Sequence, residues 1–298
     1  MIKGFAKVAL TSEENRYETV FRALDFFTQE IVKNIEKIDP NDHHKNYILI
    51  KPNCVVTNNP LAATHVDGLR AVLDFLEPIW QGRVVLAEGS GVGNTMEAFQ
   101  NYGYLNLKKD FPRLEFSDLN YSNAIFIDIF DRELKKQRIK ISDTLAESPL
   151  RISIGPPKTH NAAIVTLSIK NNAIGAILKE DKLKLCHDPR SLNRSIAAIN
   201  EYTFPHLAII DAWEGMEGNG PAEGKRVETR YCLCSANALA ADVLATRLMG
   251  FNPLQVGYLN LLGEKELKDK IEVVGKESNS FYRQFKPHDT YLQQIQWE

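Results

Sequence analysis

Short apolar runs alternate along the chain with segments of helical periodicity. Residues 47–50 (YILI) and 83–87 (RVVLA) are short runs without alternation of apolar and polar residues, which is typical of parallel strands covered on both faces. Residues 67–76 instead place their apolar side chains at helical spacing. This order of strands and helices predicts an α/β protein with a mixed, mostly parallel sheet and helices on both faces.

The same reading predicts several further elements. We expect a first strand over residues 2–10, one long helix over 16–37, and a small hairpin from strands at 124–130 and 138–141. A strand at 206–210 is followed by a segment, 213–225, whose glycines predict a loop.

The weakest patterning lies near residues 147–149 and suggests a division of the chain. At 298 residues the chain exceeds the usual size of a single core, so two α/β lobes are expected, 1–148 and 149–298. The alternative is one continuous domain over about residues 51–250.

Composition narrows the function classes. A net charge of -2, without a basic stripe, argues against nucleic acid as a partner. No apolar run approaches the roughly 20 residues that span a bilayer, and the N-terminus lacks a signal peptide pattern. We therefore expect a soluble, cytoplasmic protein with no membrane partner, and homo-oligomerisation stays open. Cys232 and Cys234 do not have zinc or ferredoxin spacing and are predicted to be packed thiols.

Four of the predicted strands end directly in polar residues. Ligands of open α/β sheets bind outside the carboxyl ends of parallel strands, so these endings predict one shared site. A charged residue after a strand is otherwise often only the first solvated residue of a loop. The polar residues that follow the four strands are Lys51 and Asn53, Glu88, Gly89 and Ser90, Lys158 and His160, and Asp211.

The segment after the third of these strands is the most informative. Lys158 and Lys170 lie in apolar surroundings, where a lysine binds an anion or acts as a base with a lowered pKa. His160 and His187 bracket the segment. The alternative is that these lysines extend from amphipathic helices to solvent, which we favour for Lys179.

Two other loops carry candidate ligands. Thr64 and His65 precede a predicted helix, where backbone N–H groups favour anions, although Thr64 is equally suited to be a cap. The carboxylates of Asp211, Glu217 and Glu88 could hold a divalent cation. Residues 211–225 are interpreted as a lid or as a mobile exposed loop.

At this point several segments match a known pattern. The chain resembles the family called domain of unknown function 362 (DUF362), and K-T-H, then K-N-x-x-G, then H is its strongest signature. The matching segments span about residues 51–250: KPN (51–53), PLAATH (60–65), the AEGSG turn, PPKTH (156–160), SIKNNAIG (168–175), His187, DAWEGMEGNGP (211–221) and SANALAADVLATRLMG (235–250).

The resemblance implies little about activity. Many members of the family carry a ferredoxin-like segment with C-x-x-C-x-x-C spacing, which this chain lacks, so an iron–sulfur cluster is not expected in it. Members commonly have an aliphatic residue at the position of Cys54, which argues against Cys54 as a nucleophile. By analogy of fold alone, the family is similar to the nickel-pincer lactate racemase group, which uses Lys and His in an α/β cleft.

The favoured function is an enzyme acting on a small metabolite that carries a phosphate or carboxylate. Isomerase, hydrolase and oxidoreductase chemistry all remain open, and so does the cofactor. The alternative is a non-catalytic accessory protein that holds a cofactor, a metal or an electron-transfer centre. We expect Lys51, Lys158 and Lys170 to bind the anion, and Asn53 and Asn171 to orient it. Thr64, Gly89 and Ser90 are expected to contact the ligand. His65 and His160 are candidates for acid–base catalysis, and His187 is either a second base or a metal ligand.

Overall fold

The computed structural model describes residues 5–42, 44–267 and 270–298. Its strands are β1 (Ala6–Thr11), β2 (Tyr47–Lys51), β3 (Arg83–Glu88), β4 (Leu114–Asp118), β5 (Ala124–Phe130), β6 (Lys136–Ser142), β7 (Leu150–Gly155), β8 (Lys158–Thr159), β9 (Val165–Thr166), β10 (Leu207–Glu217), β11 (Lys225–Ser235) and β12 (Ile271–Gly275). Its α-helices are α1 (Arg16–Asp25), α2 (Thr28–Ile35), α3 (Val66–Leu76), α4 (Thr95–Asn101), α5 (Asp143–Ala146), α6 (Ser168–Ala176), α7 (Pro189–Thr203), α8 (Ala238–Leu248), α9 (Gly257–Leu261), α10 (Glu264–Leu267) and α11 (Tyr291–Gln294). Short 3-10 helices cover Pro60–Ala62, Tyr104–Lys109, Leu119–Tyr121, Lys179–Lys184, Pro253–Gln255 and Ser278–Phe281.

One mixed sheet, ten-stranded among these residues, organises the molecule in the order β12-β1-β11-β10-β7-β2-β3-β4, with β8 and β9 beside β10. Strands β4, β3, β2, β7 and β10 are parallel, whereas β11 is antiparallel to both β10 and β1. The predicted mixed, mostly parallel α/β sheet is confirmed. Because β2 and β7 are hydrogen-bonded neighbours, this sheet runs through both predicted lobes.

Alternate strand residues send side chains to two separate cores, one on each face of the sheet. On β10, Ile209 packs in the core that contains α1, α3 and α4, while Ile210 packs with α6, α7 and α8. Helices therefore cover both faces, as predicted. Cys232 and Cys234 are fully buried in the first core, which confirms them as packed thiols.

The predicted single helix over 16–37 is wrong in one respect, because it is two helices. Phe27 leaves the helical conformation, with φ -120° and ψ 14°, and its ring is buried in the core. The hydroxyl of Thr28 donates to the carbonyl of Asp25 (3.0 Å) and so replaces a backbone hydrogen bond at the break.

The predicted loop over 213–225 is confirmed only for residues 218–224, because β10 continues to Glu217 and pairs with β11, which begins at Lys225, in a long hairpin. Its glycines permit close packing here rather than mobility. A Cβ on Gly215 would lie 2.8 Å from the Phe285 ring and 3.0 Å from the Pro157 carbonyl oxygen. The predicted lid is therefore mostly sheet.

Other expectations agree more closely. The hairpin of β5 and β6 forms a separate two-stranded sheet as predicted. The first strand begins at Ala6, and residues 2–4 of the prediction lie outside the described residues. No helix in the described parts of the chain has the length and apolar character to cross a membrane.

Candidate functional site

A cavity of about 310 Å³ opens beside the carboxyl ends of β2 and β3. Helix α6 forms its opposite wall. This volume is at the lower end of the range for small-molecule sites, roughly 300–1,000 Å³. The polar residues that line it are Asn53, Glu88, His160, Thr166, Lys170, Asn171, Lys182 and His187.

Lys51 and Glu88 neutralise one another beneath the cavity. The Lys51 ammonium lies 2.7 Å from Glu88 Oε1, and both side chains are buried. The second carboxylate oxygen of Glu88 accepts from the backbone N–H of Cys54 (2.9 Å). The pair therefore joins the ends of β2 and β3, and neither group is available as a separate ligand for an anion or a cation.

Lys158 is likewise held by protein groups. Its ammonium donates to the side-chain oxygen of Asn53 and to the carbonyl of Ala62 (3.0 Å). Asn53 in turn donates to Asn171 Oδ1 (2.9 Å). Burial, together with the charge of Lys170, lowers the pKa of Lys158 to about 7. This network fixes the cavity floor.

Lys170 differs from the other two lysines. Its side chain lines the cavity and is only 6% exposed, yet it makes no hydrogen bond or ion pair with any described residue. Burial lowers the pKa of Lys170 to about 7. A buried ammonium without a counterion is costly, which is why the uncharged amine is favoured at a lower pH than usual.

Two histidines lie near Lys170, with ring centroids 6.5 Å apart and planes inclined by 18°. His160 accepts the backbone N–H of Ala162 at Nδ1 (3.1 Å), so its neutral ring carries the proton on Nε2. Burial and the charge of Lys170 lower the pKa of both histidines, and the backbone of Leu185 partly offsets this at His187. His160 is thus a neutral donor, and a neutral His187 ring has one acceptor nitrogen.

The segment between His160 and Val165 is held in a strained conformation. Ile164 has a φ of 60°, which is unfavourable for a β-branched residue. The side chain of Gln294 accepts from the Ile164 N–H (2.5 Å) and donates to the His160 carbonyl (2.8 Å). A residue near the end of α11 therefore positions the histidine.

Helix α6 is capped by a residue of another helix. Asp242, on α8, accepts the backbone N–H groups of Ser168 (3.1 Å) and Ile169 (3.0 Å). Leu167, which precedes α6, offers no side-chain cap. Burial raises the pKa of Asp242 to about 7. Because Lys170 is in the first turn of α6, Asp242 fixes its position.

The family model for the domain of unknown function DUF362 matches residues 48–247. The chain belongs to the DUF362 family. The resemblance carried by its motifs is thereby confirmed.

Two solved structures resemble the fold of this DUF362 protein. The lactate racemase apoprotein from Thermoanaerobacterium thermosaccharolyticum has a TM-score of 0.49 and 14% identity, over 83% of this chain and 57% of that one. A crystal structure of a protein from Thermotoga maritima has a TM-score of 0.45 and 13% identity, over 78% and 59%. The DUF362 chain thus spans less than two thirds of either structure. None of the curated proteins matches it.

Besides Lys51, Lys158, Thr64 and Ser90, which do not line this cavity, three predicted site residues of the DUF362 chain lie away from it. His65 and Asp211 line a second cavity of about 280 Å³, on the face of the sheet covered by α1 and α3. There Asp211 pairs with Arg16 (3.4 Å), and burial raises the pKa of Asp211 to about 6. Glu217 accepts the backbone N–H of Lys286 (2.8 Å). The four strand endings therefore serve two cavities rather than one.

The predicted cation ligands Glu88, Asp211 and Glu217 consequently occupy three different surroundings. Within residues 5–42, 44–267 and 270–298, no three His, Cys, Asp or Glu side chains are grouped to hold a metal ion.

The remaining predicted ligand residues have mixed roles. Gly89 lines the cavity. Thr64 is structural, since its hydroxyl accepts the Asn53 N–H (2.8 Å) and donates to the Ile154 carbonyl (2.8 Å). Ser90 is buried, and its hydroxyl has no partner.

Sequence reasoning missed two cavity residues. Thr166 lines the cavity and is buried with an unpartnered hydroxyl. It directly follows the run NAAIV, so a polar residue after a mainly apolar run was the signal, as at the other strand endings. Lys182 donates to the Gly89 carbonyl (2.7 Å), and burial lowers its pKa to about 8. Because Lys182 belongs to a run of charged residues, its sequence context indicated an exposed side chain and not a cavity residue.

Cys54 lines the cavity, but burial and the charge of Glu88 raise the pKa of its thiol. The thiolate is therefore disfavoured, in keeping with the expectation that Cys54 is not a nucleophile.

Proposed function

We propose that this protein is an enzyme that binds a small metabolite through a carboxylate or phosphate group on Lys170. The observation that carries the proposal is the buried Lys170 ammonium, which faces the cavity without a protein partner. An anion would supply the missing counterion and raise the pKa of Lys170, which favours the charged form. The unpartnered hydroxyl of Thr166 offers a second contact.

The two histidines support proton transfer as the chemistry. His160 would donate its Nε2–H to the carbonyl or carboxyl oxygen of the ligand, as a neutral donor matched to developing negative charge. A neutral His187 would remove a proton from the carbon next to that group. The C–H electron pair would form a C=C bond as the C=O π pair moves onto the oxygen held by His160, and the proton carried by His187 would return to carbon to complete the reaction. Isomerisation next to a carbonyl or carboxyl group is the reaction class that this arrangement serves.

Calorimetric titration with panels of small carboxylates and phosphates tests the binding step. Lys170→Met should abolish binding, whereas Lys136→Met, on the exposed edge of the β5–β6 hairpin, should not. Equal binding by wild type and Lys170→Met would refute the proposal.

Exchange of the ligand's carbon-bound protons in D₂O, followed by NMR, tests the chemistry. His187→Gln should slow exchange and retain binding. Tight binding without any exchange or turnover would instead favour the non-catalytic accessory protein.

A further inference from the structure

The cavity is polar at its buried end and aliphatic at its mouth. Lys170, His160 and Thr166 are 6%, 4% and 4% exposed. Val92 and Leu183 line the same cavity and are 64% and 97% exposed. Charge is therefore concentrated where water is excluded, and apolar surface is presented where the cavity meets solvent.

The aliphatic side chains at the mouth belong to a set of six that lines this one cavity. A single exposed leucine is ordinary, but exposed aliphatic residues that border one concave site indicate a ligand. Leu183 lies on the 3-10 helix Lys179–Lys184, beside Lys182, whose ammonium is bound to Gly89. The aliphatic residues that line the cavity are Val55, Val92, Ile174, Ile177, Leu183 and Leu185.

We propose that the ligand is an amphiphilic anion, with its charged group at Lys170 and a hydrocarbon chain that extends to Val92 and Leu183. This inference rests on the proposed function and specifies its substrate class. A cavity of about 310 Å³ holds on the order of ten non-hydrogen atoms, taking about 30 Å³ for each water-sized group. A carboxylate or phosphate would occupy three to five of these positions, which leaves space for a chain of about five to seven carbon atoms.

Two homologous ligand series test the inference: straight-chain carboxylates from acetate to decanoate, and the corresponding alkyl phosphates. Calorimetry at pH 6.5 would measure affinity for each. Each added methylene should tighten binding about three- to fourfold, since burying one contributes about 0.8 kcal/mol. The gain should stop at about seven chain carbons beyond a carboxylate or about five beyond a phosphate, and the series that binds identifies the head group.

Leu183→Gln should reduce the gain per methylene for the longer chains and leave acetate or methyl phosphate binding unchanged. The leucine is almost fully exposed, so its replacement does not disturb the core. Leu292→Gln is the matched control, because Leu292 is 71% exposed and lies on α11, away from the cavity.

The outcomes separate this inference from the proposed function. Lys170-dependent binding with no dependence on chain length would overturn the inference and leave the proposed function standing. A chain-length dependence unchanged in Leu183→Gln would place the hydrocarbon elsewhere and also overturn the inference. Failure of every anion to bind would overturn both.

Discussion

Replacing Lys170 with methionine should stabilise the ligand-free protein at neutral pH. Burial lowers the pKa of Lys170 from its ordinary value of 10.5 to about 7. Between these two pH values the amine of Lys170 is protonated in the unfolded chain but not in the folded protein. The free energy of unfolding therefore rises with pH over this range, and the destabilisation caused by burying Lys170 is greatest below pH 7. From this difference, Lys170→Met should increase the free energy of unfolding by about 4 kcal/mol at pH 7 and about 2 kcal/mol at pH 9.

Urea unfolding followed by circular dichroism at pH 7, 9 and 10.5 measures the effect, with Lys136→Met as the exposed control. The stabilisation should decline as pH rises and nearly vanish above pH 10.5, while the control stays close to wild type at every pH. A destabilised Lys170→Met, or a gain independent of pH, would show that the buried ammonium has a partner. A substitution that stabilises the protein but abolishes ligand binding is common at functional sites.

Three further predictions follow from the same contacts. Anion affinity should fall about tenfold per pH unit above pH 7, where Lys170 loses its proton, and calorimetry that finds a constant affinity from pH 6 to 9 would contradict this. Asp242→Asn should weaken anion binding, because one amide of α6 loses its acceptor; unchanged affinity in titrations would exclude its positioning role. Gly175→Ala should lower the free energy of unfolding by about 1–3 kcal/mol, because its Cβ would lie 2.3 Å from Lys51 Cε and 2.8 Å from Glu88 Oε1. An unaltered melting temperature would refute this prediction.

The buried strands were predictable because their residues are apolar without alternation, and β2 and β3 begin at the expected residues. The hairpin of β10 and β11 was not predictable, because glycines usually indicate a loop. Here a glycine such as Gly215 instead permits close approach of neighbouring groups to a strand. Helix α6 has no amphipathic pattern because it is buried on nearly every side. Its first turn is capped by Asp242, a residue 74 positions away from Ser168.

The candidate site was predictable in residue type but not in role. Lys51, Lys158 and Lys170 look alike in sequence, yet Lys51 pairs with Glu88 and Lys158 with amide oxygens, and only Lys170 lacks a partner among the described residues. His65 and His160 follow different strands, and sequence does not reveal that they face opposite sides of the sheet. Such differences arise from tertiary contacts.

The strained loop at Ile164 has a consequence for how the family domain is delimited. The family match ends at residue 247, but the contacts that hold Ile164 and His160 come from Gln294. Strand β1 also lies outside the match, yet it pairs with β11 inside the sheet. A fragment cut to residues 48–247 would therefore leave β11 at an exposed edge of the sheet. The loop would lose its contacts with Gln294, and Ile164 would be free to relax to a negative φ. Because the two segments are in contact, we expect substitutions at position 294 to be accompanied, across relatives, by substitutions in the loop 160–164.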